Sequence, residues 1–248
     1  MKARLLISFK YILSLLGRHL PTRHLYGLQA ALNYMKVGRW MYDHGFEFTT
    51  RVHNREQVWA FLIERVRHKQ ILYLEFGVAR GRSMQFWSTH LSNPQSILHG
   101  FDSFEGLPES GGPWIKGQFG TGGCIPTIDD ERVCLFKGWF DVVLPTYTVP
   151  PHDVLIINID VDLYTSTMCV LRHMYPHIKN GTFIYFDEMN HPDHEQRAFD
   201  EFLTESGLQF RAVAADRTLA AVLFECTGPR PDHLSRTSGS VQSVRLCG

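Results

Sequence analysis

The sequence predicts an α/β protein built on a doubly wound, mostly parallel sheet, and three observations carry that expectation. Five short continuous apolar runs (ILYLEF, SILHGFD, RVCLF, DVLIINID and GTFIYFD) are separated by segments that include stretches of helical spacing. Strands apolar on both faces belong to a sheet covered on both sides by helices. The first run ends in a glycine loop, EFGVARGRS, that leads into a helical segment, and open α/β sheets bind ligands at the carboxyl ends of their strands. With 248 residues, 44% of them hydrophobic, and only five cysteines, the chain can bury a real core and is neither generally disordered nor a disulfide scaffold.

Residues 1–20 open basic and run apolar. Leu5, Phe9, Ile12, Leu13, Leu16 and Leu20 share one side of a helical wheel, with Arg4, Ser8, Tyr11 and Arg18 opposite. Lys10 interrupts the run and no small-residue cleavage site follows, so an amphipathic helix is expected rather than a signal peptide. The run is also shorter than the roughly 20 apolar residues of a membrane span. The preferred reading packs the stripe on the main domain or on a second subunit of a homo-oligomer. The alternative is peripheral attachment to an anionic membrane, since Lys2, Arg4, Lys10 and Arg18 flank the stripe. Residues 21–53 predict one or two further helices, making 1–53 a helical extension.

The main domain is expected over 54–226. Asn54 with Gln57 three positions on forms a capping-box pattern. A helix is expected near Thr167–Tyr175, and LQFRAVAA and TLAAVLFE, joined by a polar link with Asp216 and Arg217, predict a closing hairpin. The insertion 109–130 is long and glycine-rich, and reads either as a mobile flap over a site or as a plain surface excursion. Residues 227–248, rich in Pro, Ser, Arg and Gly, are expected to be disordered.

Net charge is zero, but residues 1–55 hold nine basic and two acidic side chains, whereas residues 100–210 hold six and seventeen. Nucleic acid is therefore not an expected partner, because phosphate backbones are bound through excess Lys and Arg. No D/N-P-P-Y/W motif for amino-group methylation is present either. The cysteines form no C-x-x-C pair, which points to free thiols in a reducing, cytoplasmic setting.

The glycine loop is acidic-x-G-x-A-x-G, from Glu75 through Gly77, Ala79 and Gly81. A dinucleotide fingerprint needs G-x-G-x-x-G, and two of its three glycines are missing. A carboxylate at Glu75 suits a cationic amino-acid group better than a pyrophosphate. Asp102, at the end of the second run, is placed to accept hydrogen bonds from ribose hydroxyls. Together YLEFGVARGRSMQFW, GFDSFEGLPE, KGWF, INIDVDLY and IYFDE resemble the macrocin/mycinamicin-type O-methyltransferase family over about residues 54–226. These are class I, S-adenosylmethionine-dependent and divalent-metal-dependent enzymes, whose best-known members methylate deoxysugar hydroxyls on macrolides. The resemblance implies the Rossmann-like class I methyltransferase fold, with seven strands in order 3-2-1-4-5-7-6 and the last antiparallel. It further implies that Glu75, Gly77, Val78, Gly81 and Ser83 contact the methionine part of the cofactor. Asp102 and Ser103 would face the ribose, and Lys137-Gly138-Trp139 the adenine.

Asp160 ends the fourth run, and Asp187 with Glu188 the fifth. Three carboxylates at one sheet edge repel each other, and a hard divalent cation such as Mg²⁺ relieves that. The family uses Asp and an Asp-Asp pair at these places, so Glu188 is a departure. Asp162 is either a further ligand or a helix cap. A cation would lower the pKa of a bound sugar hydroxyl, a base would take its proton, and the methyl would transfer in line. His191 is the nearest candidate base, with His194 and His152 behind it. The resulting expectation is a metal-assisted sugar or glycoside O-methyltransferase. The competing readings are a metal-independent small-molecule or lipid methyltransferase, a cofactor-binding scaffold without turnover and, last, a dehydrogenase.

Overall fold

The computed structural model describes residues 2–230. An eight-stranded sheet forms the centre, built from β1 (Thr50–Val52), β2 (Ile71–Phe76), β3 (Ile97–Asp102), β4 (Val133–Lys137), β5 (Val154–Ile159), β6 (Phe183–Phe186), β7 (Leu208–Asp216) and β8 (Val222–Pro229). Their order across the sheet is β1-β7-β8-β6-β5-β2-β3-β4. Only β8 runs antiparallel to its neighbours, β6 and β7. All five apolar runs and the hairpin are present as strands, in the implied order.

The sheet exceeds the expected seven strands by β1, which pairs in parallel with β7 from Thr50↔Ala214 to Val52↔Asp216. Three residues at a sheet edge are too few to show an alternating pattern. The last strand starts at Val222 rather than Thr218 and continues to Pro229, three residues into the segment expected to be disordered. Residues 231–248 of that segment lie outside the described residues.

Side chains alternate along β2. Leu72, Leu74 and Phe76 pack on one face with helices α6 (Tyr164–Met174) and α7 (Glu195–Ser206). Ile71 and Tyr73 pack on the other with α3 (Arg55–Val66) and α4 (Arg82–His90). This is the period-two burial of a strand sandwiched between helical layers. The N-cap half of the capping box is formed, Gln57 N–H donating to Asn54 Oδ1 at 3.0 Å, while the Gln57 side chain reaches one residue further back and accepts from His53 N–H at 2.8 Å.

Two helices precede this core, α1 (Lys2–Gly17) and α2 (Thr22–Asp43). The end of α2 is anchored by buried Val37 and Met41 and by Trp40, whose indole N–H donates to Asp200 at 2.8 Å. The α1 stripe, in contrast, is exposed, so it does not pack on the main domain.

Candidate functional site

Strand register puts the ends of β2, β3, β5 and β6 side by side at one sheet edge. Backbone bonds from Gly77 to Phe101, Asp160 to Phe76 and Asp187 to Ile159 continue the pairing past the strand ends. A cavity of about 670 Å³ opens over this edge.

One wall is the glycine loop. Gly77 has φ +88°, and a Cβ there would lie 1.8 Å from the Asp160 carbonyl oxygen, so only glycine lets the two strand ends approach. Gly81, φ +76°, caps α4. Asp102 Oδ2 accepts from the backbone N–H groups of Val78 (2.9 Å) and Ala79 (2.7 Å), while Oδ1 accepts from Phe104 (2.7 Å). Asp102 thus organises the loop as well as facing the cavity. Val78, Ser83, Ser103 and Trp139 join Gly77 and Asp102 on the wall.

Glu75 does not. It is fully buried behind the wall, accepting from Tyr73 Oη at 2.8 Å and Ser83 Oγ at 2.5 Å. Burial pushes its carboxyl up to about 8. Its link to the cavity runs through Ser83.

The opposite wall is acidic. Asp160, Asp162, Asp187 and Glu188 all line the cavity. Burial, then Asp187, Glu195 and Asp162, hold the Asp160 carboxyl well above the ordinary range. Burial and Asp187 raise Asp162 to about 7, and burial with Asp187 and Asp162 raises Glu188 to about 7. Asp162 sits in the left-handed region at φ +61° and does not cap α6, whose N-cap is Leu163.

Arg55 and Glu195 complete this corner. Arg55, the first residue of α3, donates from Nη1 to Asp187 Oδ2 at 2.5 Å, and Tyr185 Oη donates to Asp187 Oδ1 at 2.5 Å. Glu195 is fully buried and accepts from the backbone of Glu188 at 2.9 Å and of Val161 at 3.4 Å, tying the ends of β5 and β6 together. Neither residue was singled out for the site from sequence. A cation at the first position of a helix opposes the macrodipole, and that mismatch is the signal that marks Arg55.

Two expectations concern this wall and the histidine near it. Asp160, Asp187 and Glu188 share a wall, but among the described residues no group of three or more His, Cys, Asp or Glu is placed to hold a metal ion. Asp187 accepts one hydrogen bond on each oxygen, from Arg55 and from Tyr185, so Arg55 already supplies a positive charge to this corner. His191 lies behind the wall, its Nε2 3.5 Å from Glu188 Oε2 and its ring 4.5 Å from that of Trp114. Burial and then His194 lower its pKa. His152 precedes β5 and so belongs to the opposite sheet edge.

The insertion 109–130 folds back over the site. Gly111 and Trp114 form a β-bridge, Trp114 packs on His191 and His194, and Gln118, Phe119 and Gly120 reach the cavity.

This fold is that of the class I methyltransferases. The calicheamicin methyltransferase CalS11 superposes with a TM-score of 0.55 at 21% identity, over 68% of this chain and 77% of that one. The O-methyltransferase NovP superposes with a TM-score of 0.50 at 20% identity, over 82% of this chain and 99% of that one.

Within that class, residues 126–222 match the model of the family described as Macrocin-O-methyltransferase (TylF), and the resemblance drawn from the motifs is borne out. Mycinamicin III 3''-O-methyltransferase of Micromonospora griseorubida is 28% identical over 128 residues, which are 52% of this chain and 47% of that protein. The chain thus spans about half the length of that relative.

Proposed function

We propose that the chain is an S-adenosylmethionine-dependent O-methyltransferase acting on a hydroxyl of a sugar or glycoside. One observation carries this reading: a single cavity has the glycine loop with Asp102 on one wall and the carboxylates Asp160 and Glu188 on the other. Gly77, Val78, Gly81 and Ser83 would cradle the amino-acid part of the cofactor, with Glu75 positioning Ser83. Asp102 and Ser103 would meet the ribose, since a carboxylate oxygen that accepts one backbone bond keeps a lone pair for a hydroxyl. Trp139 would flank the adenine. The acceptor class follows the relatives, one of which is named for methylating mycinamicin III.

In the reaction the acceptor oxygen forms a bond to the methyl carbon as the carbon–sulfur bond breaks, releasing S-adenosylhomocysteine. The hydroxyl proton must leave with the attack. Asp160 is the proposed base, because it lines the cavity and because burial and neighbouring carboxylates raise its proton affinity. Glu188, with His191 behind it, would relay the proton outward.

Metal dependence is the finer question. The Arg55–Asp187 pair supports a version in which a guanidinium supplies the positive charge of this corner. Transfer that survives exhaustive chelation is the expected result; transfer that stops and returns with Mg²⁺ would mean that Arg55 yields Asp187 to a metal.

The experiment for the activity is transfer of labelled methyl from S-adenosylmethionine to a panel of glycosides and nucleotide-linked sugars. Label on a sugar hydroxyl is expected, with Asp160→Asn reducing the rate about 100-fold or more while cofactor affinity is kept. Cofactor binding with no transfer to any hydroxylated acceptor would leave a scaffold instead.

A further inference from the structure

Residues 1–42 contain seven Lys or Arg and no Asp or Glu; the first acidic side chain is Asp43. The apolar stripe of α1 is left in the open, with Leu5 66%, Phe9 57%, Ile12 52% and Leu16 57% exposed. Helix α2 also exposes Leu25, Leu28 and Leu32, and is buried only further on, at Val37 and Met41. Exposed large apolar side chains in this number on two successive helices mark an interaction site.

Charge decides between occupants. If two copies paired these segments about a two-fold axis, seven cations would face seven, with no carboxylate in residues 1–42 to offset them. Anionic lipid headgroups neutralise every one of them, while Leu, Ile and Phe enter the acyl boundary. Tyr26 and Tyr34, both exposed, have the apolar body and polar tip that settle at headgroup level.

We propose that residues 2–36 dock the protein on an anionic membrane surface, lying in the interface. Among the described residues no helix is long and apolar enough to cross a bilayer. The docking does not depend on the transferase reading, because none of these residues lines the cavity.

The test is co-sedimentation of the full chain with vesicles of phosphatidylcholine plus phosphatidylserine, against phosphatidylcholine alone. Binding to the mixed vesicles only is expected, with release in about 1 M salt, where the screening length falls to about 3 Å. Lys10→Ala and Arg18→Ala should each weaken binding about five-fold. Leu13→Asp should weaken it further, with S-adenosylhomocysteine titrations of the same samples unchanged. If Leu13→Asp folds poorly, the two alanine variants carry the test, since they leave the apolar stripe intact. A chain that stays in the supernatant with mixed vesicles overturns the proposal. A dimer that Leu13→Asp splits, with no vesicle binding, would give the face to a second copy.

Discussion

The two walls of the cavity are built by opposite means. On the glycine-loop wall Asp102 accepts three backbone N–H groups, and behind it Glu75 accepts two hydroxyls. On the acidic wall, Asp160, Asp162, Asp187 and Glu188 crowd together with Arg55 as the cation bonded among them. A wall whose polar groups are satisfied holds its shape before anything binds. A wall whose carboxyls have raised proton affinities is set to exchange protons near neutral pH, which is where chemistry rather than binding is expected. Under the proposed function the first wall would position and the second would react.

Substitutions at each wall in turn test this contrast most clearly. Gly77→Ala should have the largest effect. Its Cβ has no room beside the Asp160 carbonyl, and φ is positive, so about 3 kcal/mol of stability and all cofactor binding should be lost, read by denaturant unfolding and calorimetry. Asp160→Asn should do the reverse, sparing stability and cofactor affinity while costing about 100-fold or more in turnover.

Arg55→Ala comes next. Asp187 would be left buried without its cation, a loss of about 3 kcal/mol for a fully buried pair. Because the Arg55 side chain is 38% exposed, solvent screening brings the expected cost down to about 2 kcal/mol. Adding Asp187→Asn should recover part of it in a double-mutant cycle.

A further expected effect is a change of pH slope. The Glu75 carboxyl stands at about 8 in the folded chain against 4.5 as its ordinary value, so the folded state binds more protons in between. Stability should therefore fall as pH rises from about 5 to about 8. Glu75→Gln should flatten that slope in unfolding curves taken across the range.

How much of this was legible in the sequence follows the same division. The parallel strands, the closing hairpin, the glycine loop and Asp102 were readable because each depends on a local pattern: a continuous apolar run, a glycine after a strand, a carboxylate at a strand end. Strand β1 was not, because its three residues gain their conformation from pairing with β7. The acidic wall was half legible. Asp160, Asp187 and Glu188 announced themselves at strand ends, but the partner that meets Asp187 comes from 132 residues away in sequence, at Arg55. Glu75 shows the same limit, because its position by the loop suggested ligand contact while full burial came from the packing of Tyr73 and Ser83 around it. For the α1 stripe, amphipathicity was readable, but its exposure was visible only once the core had closed without it.

The central claim is that the glycine-loop wall binds the cofactor. Calorimetric titration of S-adenosylhomocysteine into the full chain and into Gly77→Ala tests it most directly. A single saturable site is expected in the native chain and none in the variant; no binding to the native chain, or equal binding to both, would rule that role out.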